Sequence, residues 1–152
     1  MAAIPKWAQE LTLQVAIDEG RDDLPEIIWR KRRRPRVSAR AKLLFGSPER
    51  VERFRKQSDW RRVGSSGHCR EGLITRIVIT AGTDRKDQKL VLLHELAHWL
   101  SSRKENHGPI FWDKAWELFR RYNVPIQYAK KRSGDYRKEA IAAYKRSIRK
   151  TA

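Results

Sequence analysis

Apolar side chains recur at helical spacing from the start of the chain. Trp7, Leu11 and Val15 stand four apart, Asp18 and Glu19 close the stretch and Gly20 follows, which predicts an opening amphipathic helix over Lys6–Glu19. Ile27–Arg33 follows Pro25, begins with strand formers and continues into basic residues, giving a candidate first strand. Ser47-Pro48-Glu49 combines a capping hydroxyl with a first-turn proline and predicts a cover helix through Arg50–Gln57. Trp60–Val63 and the β-branched Leu73–Thr80 are strand-like, and Gly64, Gly67 and Gly72 between them supply turn residues for a hairpin. Lys89–Leu100 (KLVLLHELAHWL) is the most apolar segment, with Glu95 the only charge inside it, and predicts a buried helix. Asn106-His107-Gly108-Pro109 breaks the chain. A second helix then runs from Pro109 to Tyr122, with Phe111, Ala115, Leu118, Phe119 and Tyr122 on one face and Pro125 as its stop. Tyr136, Ala140, Tyr144 and Ile148 recur every fourth residue among basic ones, as in a basic amphipathic C-terminal helix. The expected class is α+β: one small domain over 1–128, followed by a basic extension over 129–152.

A chain of 152 residues supports one core rather than two, and six tryptophans supply much of it. Charge changes the picture more. The formal net charge is +17, unevenly placed: residues 1–29 are net −4, residues 30–42 hold eight basic groups and no acid, and residues 130–152 hold nine basic groups against two acidic. Such blocks attract polyanions, which points to nucleic acid as a partner. Cys69 is the single cysteine, so an internal disulfide and a cysteine-based zinc ribbon are excluded and any metal must be held by histidine or carboxylate. It suits a reducing compartment. The N-terminus does not read as a leader and no stretch has the length of a membrane span, so the expectation is a cytoplasmic protein without a membrane partner.

The chemistry concentrates in His94-Glu95-Leu96-Ala97-His98. Two histidines four apart on a helix lie one turn apart and can face the same ion. At about 100° per residue, Val91, His94, Glu95 and His98 share one side, while Leu92, Leu93, Leu96, Ala97, Trp99 and Leu100 occupy the rest. Zinc needs a third protein ligand and an open position, and His107 is the next histidine, beyond the helix break, where the chain has left the helix and can return. Glu95 stands where it can act as general base toward water on that ion. A bare H-E-x-x-H also arises by chance among packed helix histidines. The apolar helix, the break and the third histidine together favour a site for one Zn²⁺ ion.

The stretch HELAHWLSSRKENHGPIFWDKAWELFRRY resembles the SprT-like metallopeptidases and the neighbouring WLM and YgjP-type minimal zincins, in which an HExxH helix is followed by a loop, a third histidine and a helix opening with a phenylalanine. The resemblance implies a zincin-like domain, a zinc metallopeptidase activity, His94, His98 and His107 on zinc, and Glu95 in catalysis. It also implies that an edge strand beside the active helix holds substrate in extended form, with Leu73–Thr80 as the candidate sheet region. The loop between His98 and His107 is intermediate in length between SprT-like and YgjP-type members, which leaves the subfamily open. SprT-like proteins include the Spartan proteases, which degrade proteins attached to DNA, so nucleic-acid-bound proteins become a candidate substrate class.

Further residues carry alternatives. Arg30, Lys31, Arg32, Arg33, Arg34 and Arg36 form a candidate clamp for phosphates, or else a solvated surface. Trp29 and Trp60 flank basic residues and are candidates for stacking on bases, or for the core. His68, beside Cys69, is a candidate fourth ligand or an ordinary loop residue. Tyr122, Tyr128, Arg76 and His68 are candidates to hold an oxyanion. The main expectation is a peptidase acting on a protein or peptide substrate. The alternatives are a nucleic-acid-binding module with a structural or vestigial zinc, and a regulatory peptidase of narrow specificity.

Overall fold

In the computed structural model, which describes residues 3–31, 38–49, 74–101, 107–133 and 137–151, the chain opens with helix α1, Lys6–Asp18. It ends where expected. Gly20 takes a positive φ of 65°, which lets the Arg21 N–H reach back to Ala16 O at 2.9 Å and close the last turn. The helix meets the core through Ala8, Thr12, Val15 and Ala16, so Trp7 and Leu11 are only partly buried and form the shoulder of the stripe rather than its centre.

Three strands follow: β1 (Glu26–Lys31), β2 (Arg40–Gly46) and β3 (Ile74–Ala81). Their order is β1-β3-β2, with β1 parallel and β2 antiparallel to β3. Ile77 and Ile79 join Ile27, Trp29 and Leu43 in the core under the helices. The alternate positions Ile28, Leu44, Val78 and Arg76 point to the other face and are also buried. There Arg76 is paired with Glu26 at 2.9 Å, across the register that sets these two residues opposite each other. Two sequence expectations change here. β2 was not foreseen, and β3 is the central strand of the described sheet, so Leu73–Thr80 is not the substrate-holding edge. β2 is the described edge strand over which the long helix lies. The other arm of the expected hairpin, Trp60–Val63, lies outside the described residues, as does Arg50–Gln57, although Pro48 and Glu49 are helical.

Helix α2, Arg85–Leu100, starts four residues before the apolar run because Asp84 caps it, its carboxylate accepting from Lys86 N at 2.8 Å. Leu92, Leu93, Leu96, Ala97 and Trp99 are fully buried, as the helical projection predicts. Helix α3 is Pro109–Arg121, and its expected face of Phe111, Ala115, Leu118, Phe119 and Tyr122 is buried throughout. Pro125 is not what stops it. Asn123 does so, taking φ 63° so that Val124 N bonds Phe119 O at 2.8 Å, and Pro125 instead opens a short helix α4, Ile126–Arg132. Helix α5, Arg137–Thr151, lies against α3: Ala140 and Ala143 are fully buried, Trp116 Nε1 donates to Ala140 O at 2.8 Å, and the Tyr144 ring sits 5.1 Å from Trp116. Among the described residues no helix is long and apolar enough to cross a membrane.

One buried carboxylate ties three of these elements together. Asp87, 1 % exposed in the first turn of α2, accepts from Arg132 Nε at 2.7 Å, from Tyr128 OH on α4 and from Ala39 N just ahead of β2. Burial alone pushes its carboxyl up, but the bonds from Arg132, Tyr128 and Ala39 outweigh this and hold it below the ordinary value. A lowered folded pKa means stability present at neutral pH and lost as acid titrates the group through that lowered value. Asp87→Ala is therefore expected to cost about 3 kcal/mol in urea unfolding at pH 7. The deficit relative to wild type should shrink as pH falls below about 4, the ordinary aspartate range.

Candidate metal centre

His94 and His98 sit one turn apart on α2, and His107 stands two residues ahead of Pro109, the first residue of α3. The packing of α2 on α3 brings the three rings together. Their Nε2 atoms form a nearly equilateral triangle with sides of 3.2, 3.2 and 3.1 Å. A neutral imidazole Nε2 offers either one N–H or one lone pair, so three mutual contacts of this length cannot all be hydrogen bonds. Three lone pairs converging on a single cation satisfy them all. A tetrahedral ion held at about 2.0–2.1 Å needs nitrogens roughly 3.3–3.4 Å apart, so the triangle is within a few tenths of an ångström of a three-histidine face. The three side chains are close enough to bind a metal ion.

The cluster has an aromatic floor. Phe111, fully buried in the first turn of α3, stacks on His98 at 3.9 Å and 18°, and its ring centre lies 4.9 Å from that of His94 and 5.0 Å from that of His107. Trp112 packs beside Phe111 at 4.9 Å and lies 5.9 Å from His94 and 6.1 Å from His107. His98 is fully buried, while His94 and His107 are half-buried, so the triangle opens toward solvent on the side of those two rings. Glu95, the neighbour of His94 on α2, is 5 % exposed. On the far side of α2, Trp99 Nε1 donates to Asp23 at 3.3 Å and the Arg21 guanidinium lies 4.6 Å over its ring, fixing the helix turn that carries His98.

The remaining candidates are scattered. Tyr122 is eleven residues beyond Phe111 on α3, about 16 Å along the axis. Its hydroxyl donates to Asp18 at 2.6 Å, and burial together with that bond raises its pKa. Tyr128 is bound to Asp87, itself seven residues ahead of His94 and so about 10 Å away along α2. Arg76 points to the sheet face opposite the helices. None of these three is placed to stabilise an oxyanion at the triad. Trp29 is 5 % exposed and packs edge-on against Trp7 at 5.9 Å, which makes it a core residue and not a platform for bases. Arg30 is half-buried and Lys31 exposed at the end of β1. Arg32, Arg33, Arg34, Arg36, Trp60, His68 and Cys69 lie outside the described residues.

The sequence marks Phe111 as part of an apolar face and of the helix start in the resemblance, without a contact to the histidines, and gives Trp112 no role. The available signal was the spacing, since His107 and Phe111 are four residues apart across a Gly-Pro helix start, which keeps them within reach of each other. No protein-family model, no curated protein and no solved structure matches the chain.

Two outcomes follow for the metal. Zinc at about 1,000 times its dissociation constant should stabilise the fold by about 4 kcal/mol, read as a rise in melting temperature that His98→Ala abolishes. Phe111→Leu, which keeps an apolar side chain but removes the ring stacked on His98, should weaken zinc binding by roughly 10–100-fold in a chelator competition.

Proposed function

We propose that the protein is a zinc-dependent peptidase that hydrolyses peptide bonds in a protein or peptide substrate. The observation that carries the reading is the convergence of three imidazole nitrogens beside a buried glutamate on the same helix turn. Three neutral nitrogen donors on a partly open face suit zinc and not the hard cations, which prefer oxygen. When bound, zinc would supply Lewis acidity, polarising a carbonyl and lowering the pKa of water to about 7.

The chain's own residues do the rest. His94, His98 and His107 would hold the ion, and the half-buried rings of His94 and His107 face the side from which water and substrate would arrive. Glu95 accepts the water's proton as the nucleophile forms and returns it to the departing amine, which a carboxylate can do only if it is spared from ligation. Phe111 and Trp112 keep the imidazoles aimed and exclude water from behind the set. A substrate segment would lie extended along β2, the described edge strand under α2, in the position first expected of Leu73–Thr80. The resemblance of the HELAH segment and its third histidine to SprT-like zincins supports the same assignment.

Glu95→Gln is the deciding variant. It preserves shape and zinc uptake, and peptide cleavage should fall by roughly 10²–10⁴-fold, measured on an unstructured protein substrate. Equal rates for wild type and Glu95→Gln, with one zinc bound in each, would mean that the metal is structural and the reading is wrong.

A further inference from the structure

The described topology brings basic residues from distant parts of the sequence to one end of the domain. β1 and β3 run parallel with Lys31 opposite Ala81, so the end of β1 lies beside the connection that leads, four residues later, into α2. Lys31 is on the helix-bearing face of the sheet, one alternation beyond Trp29, and is exposed. The first turns of α2 carry Arg85, Lys86 and Lys89, and α4, with exposed Lys131, is tied to the same turns through Tyr128, Arg132 and Asp87.

A groove of about 720 Å³ opens at this end, walled by Trp7 and Leu11 of α1, by Arg85, Lys86 and Lys89 of α2, and by Pro125. The Arg85 guanidinium lies 4.4 Å over the Trp7 ring, the one aromatic wall of the groove, and the Lys86 ammonium lies 5.3 Å from the Tyr128 ring beside it. Among the residues that line it, Glu10 is the one carboxylate against three cations, and it stands 3.7 Å from Lys6 on the exposed side of α1. The groove is separate from the triad. Arg85 precedes His94 by nine residues, about 14 Å along the helix.

We infer that this groove binds single-stranded nucleic acid, with Arg85, Lys86 and Lys89 on phosphates and the Trp7–Arg85 pair against a base. A groove with three cations and a stacked indole–guanidinium pair offers a flexible polyanion both phosphate contacts and a flat surface for a base, and an acidic peptide would leave that flat surface unused. These three cations are distant in sequence from the basic run that begins at Arg30. The peptidase reading plays no part in this inference, since neither zinc nor Glu95 enters it.

The test is binding of a short labelled single-stranded DNA, followed by fluorescence anisotropy across a salt series. Arg85→Glu/Lys86→Glu/Lys89→Glu should lose at least about tenfold in affinity, and the slope of log K against log salt should flatten by about 2, near 0.7 per lost phosphate contact. The matched reversal Lys138→Glu/Lys145→Glu/Arg149→Glu, on exposed positions of α5, should bind nearly as wild type does. Should the charge reversal fail to fold by circular dichroism, the triple glutamine variant replaces it, with the same flattening expected. Equal losses in both triples would reduce the effect to net charge and overturn the groove, as would wild-type binding by the groove variant. Polyglutamate binding as tightly as DNA, with the same dependence on Arg85, Lys86 and Lys89, would assign the groove to an acidic protein instead. Zinc uptake measured on each variant separates failure of this surface from failure of the metal site.

Discussion

The domain depends on burying α2 between the sheet and α3. A helix with Leu92, Leu93, Leu96, Ala97 and Trp99 fully buried has little surface left to spend on polar groups, and what remains carries His94, Glu95 and His98. At roughly 1.5–3 kcal/mol for each large apolar side chain taken from water, this burial supplies much of the driving force for folding. It also holds two imidazoles at a fixed separation without any contact made for that purpose. The third comes from α3 because the same packing that buries Phe111 carries His107 toward the pair. Core and histidine cluster are thus two readings of one helix–helix contact, with Phe111 belonging to both.

Around this contact, polar side chains fix the ends of elements rather than their middles. Asp87 holds the start of α2 to α4 and to the residue ahead of β2, Asp23 holds its last turn through Trp99, and Asp18 holds the end of α3 through Tyr122. Glu19 adds Lys114 and Arg121 at 3.0 and 3.1 Å, joining α1 to α3 on the outside. Packing sets which faces meet, and these bonds restrict how far the helices can slide along one another. That restriction matters to a site whose nitrogens must stay within about half an ångström of one arrangement.

Much of this was legible from spacing. Periodicity located α1, α3 and α5 from their apolar faces and a continuous apolar run located α2, and the His94/His98 pair with His107 beyond a Gly-Pro break was readable because ligand geometry constrains sequence separation. β2 escaped because Ala41–Phe45 lacks alternation and is short on β-branched residues, although Gly46-Ser47-Pro48 bounds it, and pairing with β3 decides its state. Pro125 was mistaken for a stop because proline serves equally well as the start of a helix, whereas the true stop, Asn123, works through a positive φ that no pattern announces. The basic end of the domain was half visible. The run after Trp29 is plain in the sequence, but that Arg85, Lys86 and Lys89 lie near its first residues follows from the parallel pairing of β1 with β3, a property of topology.

That topology also orders the birth of the fold. β1 and β2 emerge first, yet neither pairs with the other; each waits for β3, which enters between them. Closing Glu26 onto Arg76 spans 50 residues and costs roughly 3–4 kcal/mol of loop entropy before any pairing repays it. The platform for α2 thus comes into existence only at residue 81, four residues before the helix begins. Among the described strands no two can pair until β3 is present, so the surface on which the histidine helix packs is completed by the residues that immediately precede it.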